Sequence, residues 1–141
     1  MAASIVQSAV GTRVSSVLNR DVKQFGKKFL FDNNEETCWN SDQGTPQWAS
    51  IELQEPHQCT ELHLQFQGGF ASKTCWVEGS LPGERPKKLM DFYPQDDNTL
   101  QIFQFPPGCS ASSYLKIVFA ESTDFFGRIT LYKLDILGIP S

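Results

Sequence analysis

The clearest pattern in this chain has a period of two. In Glu61–Gln67, ELHLQFQ, the residues Leu62, Leu64 and Phe66 alternate with Glu61, His63, Gln65 and Gln67. Alternation sends successive side chains to opposite faces, so this segment reads as a half-buried strand. Ala49, Ile51 and Leu53 alternate with Ser50, Glu52 and Gln54 after Trp48, and Leu115, Ile117 and Phe119 alternate with Lys116 and Val118. In the last segment, RITLYKLDILG, the residues Tyr132, Leu134 and Ile136 share one parity against Lys133 and Asp135, while Ile129 and Leu131 hold the other. That change of phase at Leu131–Tyr132 predicts a bulge. Weaker strands are expected at Trp76–Gly79, Leu89–Tyr93 and Leu100–Phe105. Turn residues separate them at Gly44-Thr45-Pro46, Gly68-Gly69, Leu81-Pro82-Gly83, Asp96-Asp97-Asn98 and Pro106-Pro107-Gly108. Helical pattern is scarce; Val17–Asn19 and Gln24–Leu30 support short turns at most. Many short strands between Gly/Pro turns predict an all-β sandwich or barrel.

Composition narrows this picture. A chain of 141 residues, 40% hydrophobic and 20% charged, is expected to fold as one globular domain over residues 1–141. The 11 phenylalanines suit a core of aromatic strands. The net charge of −4 argues against direct nucleic-acid binding, which needs a basic footprint. The densest basic pairs, Lys27-Lys28 and Lys87-Lys88, are short and far apart. No apolar run approaches the ~18 residues of a membrane span. MAASIVQSAVGTRVSS has no basic start and no continuous apolar centre, so it does not read as a secretory signal. Cys38, Cys59, Cys75 and Cys109 fit no zinc spacing and are expected as reduced, packed thiols in a cytosolic or nuclear protein.

Candidate chemistry is sparse. His57 and His63 have no nucleophile elbow beside them. Glu35-Glu36 and Asp96-Asp97 offer paired carboxylates, but adjacent acids on turns are usually solvated charges. Gln67-Gly68-Gly69-Phe70 lacks the Lys and further glycines of a phosphate loop. Nothing here makes a case for an enzyme. LFDNNEET, from Leu30 to Thr37, is different, because Asp32, Asn34 and Thr37 carry the hard oxygens that calcium takes. The same residues can simply cap backbone N–H groups in a turn. It is not an EF-hand, whose central Gly and terminal Glu are missing.

A wider pattern carries a resemblance. Ser15-Ser16, Asn19, Leu30-Phe31-Asp32, Thr37, Trp39, Gln47-Trp48, Ile51-Glu52-Leu53, Arg128 and Asp135-Ile136-Leu137-Gly138 resemble the discoidin family, also called coagulation-factor C-domain or galactose-binding-like. NSDQG, QFQGGF and TDFFGRITLY, with SSVLNRDVKQFGKK and DFYPQDDNTLQ, resemble a small intracellular branch of it. The resemblance implies a discoidin-like jelly-roll β-sandwich of about eight main strands. It implies a non-enzymatic, nuclear protein-interaction module that binds an orphan nuclear receptor and represses its transcriptional activity. The alternative it implies is a carbohydrate- or small-ligand-binding module with a structural calcium (Ca2+) site. Carried over by position, the calcium ligands are the side chains of Asp32, Asn34, Thr37 and Asp135 with the carbonyls of Phe29 and Leu134. Asp135 stands where the family usually has the longer Glu. The end-to-end disulfide common in secreted members is not expected, since no Cys precedes Cys38 or follows Cys109.

Ligands of the family sit on the loops at one end of the sandwich. The corresponding residues are Trp39, Asn40, Gln67, Phe70, Phe125, Phe126 and Arg128. Aromatic rings beside an Arg make good interface chemistry. Each also has a plainer reading. Trp39 fits the core, Arg128 can pair with Asp42 or Asp124, and Phe125 and Phe126 cannot both point inward on a regular strand.

Overall fold

A computed structural model describes residues 2–141. Among the described residues the strands are β1 (Ala3–Ser4), β2 (Ala9–Val14), β3 (Trp39–Asn40), β4 (Gln47–Phe66), β5 (Cys75–Ser80), β6 (Lys87–Phe92), β7 (Leu100–Gln104), β8 (Ser112–Phe119) and β9 (Thr130–Pro140). All pairings are antiparallel. The two alternating segments read around Ile51 and Leu64 are one continuous strand. Glu55-Pro56-His57 breaks the register of β4 against β8 but does not turn the chain. The first half of β4 pairs with β2 and β8, and the second half pairs with β9 and β7. β5 and β6 extend the first layer beyond β8, while β1 and β3 extend the second along β9. Thus β4 supplies a strand to each layer of a discoidin-type jelly roll.

The parity read from the sequence matches the burial observed, except that Val118 is also buried and Tyr132 is only half-buried. Ile51, Leu62, Leu64, Phe66, Leu115, Ile117 and Phe119 are all fully buried. In β9 the buried set is Leu131, Leu134 and Ile136, and Tyr132 is the extra residue. Gln65 faces Lys133 and Phe66 faces Leu131, so the bulge lies where the phase change put it. β2 was not anticipated. Its burial does not alternate, and Val10 is exposed, because it is held on one side only, by β4. The helical turns among the described residues are Val6–Ser8, Leu18–Arg20, α1 (Val22–Phe25) and Lys27–Leu30, all short. The Asp21 carboxylate caps α1 by accepting from the Gln24 N–H.

The core is aromatic where the layers meet. Phe119 packs edge-on against Phe66 at 5.8 Å between ring centres and tilted against Trp39 at 6.2 Å. Trp39 is 0% exposed, and its indole Nε1–H donates to the Ser16 carbonyl at 2.9 Å. Burial pushes the thiols of Cys59 and Cys75 up to about 12. All four cysteines are free thiols. Trp39→Ala is expected to cost about 3–5 kcal/mol, the range for deleting a buried aromatic ring. Trp39→Phe should recover most of this while leaving the Ser16 carbonyl unpaired. Urea denaturation of the two variants measures both.

Candidate functional site

One buried amide organises the loop end. Gln47, at the start of β4, accepts hydrogen bonds at Oε1 from the hydroxyls of Ser15 and Ser16. Its Nε2 donates to the carbonyls of Asp42 and Gly44, at 3.2 and 2.7 Å. Every polar position of this side chain is used, which is how a buried amide becomes affordable. It fixes the loop from Ser41 to Pro46. That loop then holds another: the Ser41 N–H donates to the Ile129 carbonyl, the Ile129 N–H to Ser41 Oγ, and the Gly44 N–H to the Phe126 carbonyl. At Gly127, φ is +82° and a Cβ would stand 2.8 Å from the Gly44 nitrogen, so glycine is required twice over. On the other side the Gln67 N–H donates to the Thr130 carbonyl, and the Thr130 N–H to the Phe70 carbonyl. The three loops named from the sequence therefore meet.

Arg128 is the centre of what they present. Its Nε and Nη2 donate to the two carboxylate oxygens of Asp124, at 2.9 and 3.3 Å. The guanidinium carbon lies 5.0 Å from the Phe70 ring centre and 5.8 Å from that of Phe126. Phe125 packs edge-on to Phe126 at 5.2 Å. Phe125 is 94% exposed and Phe126 is 54% exposed, so neither ring is in the core. The hydrogen bonds from Arg128 hold the Asp124 carboxyl below the usual carboxylate range. The arrangement is a rigid aromatic surface around a cation whose charge is already balanced. It offers flat area and cation–π faces rather than net charge.

The remaining expected contacts divide. Trp39 is buried and presents no surface to a partner, so the packing reading replaces the docking one. Asn40 is half-buried, and its Oδ1 has no hydrogen-bond partner; nor does Oγ1 of Thr130, the residue opposite it on β9. Gln67 contributes through its backbone to the loop framework. Gln47 and Ser41, which hold the loops in place, were missed as site residues, because no local pattern marks a glutamine as buried.

In the calcium stretch, Asp32 Oδ1 accepts from the Asn34 N–H at 3.0 Å, and Oδ2 accepts from the Thr37 hydroxyl at 2.6 Å. Asn34 Oδ1 accepts from the Glu36 N–H. The Asp32 and Thr37 side chains meet, while the Asn34 side chain caps the Glu36 N–H, so these bonds are the turn caps that the same residues equally allow. Asp135 Oδ1 accepts from the Ser4 hydroxyl at 2.7 Å, which ties it to the β1–β9 pair. Leu134 is buried opposite Leu64, and Phe29 is half-buried in the turn before the loop. Among the described residues no three His, Cys, Asp or Glu side chains gather. The donor types fit a hard cation, with Asp32 as the carboxylate of the loop.

The other acids and histidines serve local structure. His63 Nε2 lies 2.9 Å from Glu61 Oε1, and His57 Nδ1 lies 2.9 Å from the Glu55 carbonyl. Asp96 accepts from the Gly69 N–H, and Asp97 from the backbone and hydroxyl of Thr99.

The Asp124–Arg128 pair has a pH signature. A carboxyl whose folded-state pKa is depressed adds stability above its unfolded pKa and loses it as pH falls through the folded value. The Asp124 contribution is therefore present at neutral pH and disappears only in strong acid. In an NMR titration Asp124 is expected to titrate below ordinary aspartates, and to move up in Arg128→Gln.

Comparison with known proteins agrees with this fold. The F5/8 type C domain family matches residues 12–131. "Nuclear receptor 2C2-associated protein" of Danio rerio is 56% identical over 138 residues, covering 98% of this chain and 97% of the relative. Two solved structures share the fold at low identity. An F5/8 type C domain from Bacteroides fragilis has a TM-score of 0.82 at 13% identity, over 99% of this chain and 98% of that one. CpGH89CBM32-5 from Clostridium perfringens, solved with GalNAc-β-1,3-galactose, has a TM-score of 0.79 at 17% identity, over 95% and 99%. With that family matched over residues 12–131, this chain belongs to the F5/8 type C, or discoidin, domain family.

Proposed function

We propose that this chain is a non-enzymatic protein-interaction module that works in the nucleus, binding an orphan nuclear receptor and repressing its transcriptional activity. The observation that carries the reading is the exposed pair Phe125 and Phe126 beside the charge-balanced Arg128. Exposed aromatics next to Arg are the chemistry of interface hot spots. The name borne by relatives such as that of Danio rerio supports a receptor as the partner. The non-enzymatic part is supported by the local bonds that engage both histidines and the Asp96-Asp97 pair.

The carbohydrate reading would use the same rings, since sugars stack on exposed aromatic faces. A pull-down with the receptor separates the two. Phe126→Ala with Arg128→Ala is expected to weaken capture at least ~10-fold, a loss of about 1.4 kcal/mol or more. Added galactose should leave capture of the unmutated protein unchanged. Full capture by the double variant would reject this surface, and a reporter assay without repression would reject the repressor role.

For the loop at Asp32 we propose a structural calcium ion held by Asp32, Asn34, Thr37 and Asp135 with the carbonyls of Phe29 and Leu134. The chemistry of the donor set supports it. An ion that binds only the folded chain raises its melting temperature, by about 9 °C for a domain of this size when the ion is about 100-fold above its dissociation constant. Calcium at millimolar concentration should do this for the native chain and not for Asp32→Asn. An unchanged melting curve would remove the ion.

A further inference from the structure

A second surface shares no residue with the loop-end cluster. The turns from Val17 to Lys28 stand away from β2 and the start of β4, leaving an open groove of about 570 Å3. Its floor is apolar: Val14, Val17, Val22 and the half-buried Trp48. Val22 is 59% exposed there. Its rim is basic: Arg13, Lys23, Lys27 and Lys28. Lys116 extends that rim, with its ammonium 4.9 Å from the Trp48 ring centre.

The wall is built rather than loose. Lys27 Nζ donates to the Thr12 carbonyl, fastening the turn to β2. Gly26 lets the chain close behind α1, since a Cβ there would stand 2.5 Å from the Val22 carbonyl oxygen. None of the five basic residues is in an ion pair among the described residues, where the pairs are His63–Glu61, Lys88–Asp91 and Arg128–Asp124. Four of the 12 Lys and Arg of a chain with net charge −4 therefore line one groove, with Lys116 beside it. A continuation of the hollow along β2 and β4 reaches Glu52 and Tyr114, and Glu52 is the one acid there.

We propose that this groove docks an acidic amphipathic segment of a partner protein, its apolar side chains on Val17, Val22 and Trp48 and its carboxylates against the Lys and Arg rim. Charge complementarity selects the occupant's sign, and the apolar floor selects its character. A nucleic acid would use the rim but leave the valines covered by a polar backbone. A membrane would need several apolar side chains at a protruding tip, whereas only Val22 is exposed and Val14, Val17 and Trp48 are half-buried.

The probe is a fluorescein-labelled helical peptide of about 16 residues, Leu on one face and Glu on the flanks, long enough at 1.5 Å per residue to span the groove. Anisotropy should show saturable binding that weakens as salt rises. Lys23→Glu with Lys28→Glu should weaken it at least ~10-fold, as should Arg13→Glu alone to a smaller degree. All three side chains are exposed, so melting temperatures should stay at the native value. A peptide of equal charge without the leucine face should bind at least ~10-fold more weakly. Phe126→Ala with Arg128→Ala should bind the peptide normally, which keeps this surface separate from the receptor-docking reading. No saturable binding, binding retained by the folded charge-reversal variants, or tighter binding of phosphatidylserine vesicles or a DNA duplex would each overturn the proposal.

Discussion

The structure depends on one strand belonging to both layers. Because β4 runs unbroken from Gln47 to Phe66, its register against β8 and its register against β9 are set by a single piece of chain. A slip of one residue would turn Ile51 and Leu53 outward in one layer and Leu62, Leu64 and Phe66 outward in the other. Two faces of burial thus defend one alignment. The ends of β4 inherit that precision: Gln47 opens it at the loop end, and Phe66 closes it two residues before Gly68-Gly69. The loops at its two ends hang from a strand whose register is fixed twice over.

From this follows the division of labour at the loop end. The buried Gln47 and Ser41, with the half-buried hydroxyls of Ser15 and Ser16, tie the loops together. The side chains that face outward, Phe125 and Phe126, are then free of structural duty. Arg128 stands between the two sets, bonded inward to Asp124 and stacked outward on the rings. The groove behind α1 has the opposite character. Its cations are not paired with carboxylates among the described residues, whereas the guanidinium at the loop end is.

Much of the fold was legible because alternation and burial are the same fact seen twice. The segments around Ile51, Leu64 and Ile117 and the bulge at Tyr132 came from parity alone. β2 did not, since a strand paired on one side need not alternate. The continuity through Pro56 was hidden because proline ordinarily signals a break, and here it sits where the register against β8 shifts. The meeting of the three loops was expected only through family resemblance; Ser41 and Ile129 are 88 positions apart, and no local pattern joins them. Trp39 was ambiguous because β3 has two residues, too few to show a period. The basic rim was invisible for a related reason. Arg13, Lys23 and Lys28 are scattered along the chain and gather only when the turns fold back on β2.

The buried thiols carry a last implication. With both thiols pushed up by burial, Cys59 and Cys75 stay protonated at neutral pH. Cys59 lies in the second half of β4, near Cys109, and Cys75 begins β5 on the other layer. An alkylating reagent can therefore reach either sulfur at an appreciable rate only when its own layer opens. Alkylation of these two buried thiols would therefore report opening of the core around each sulfur.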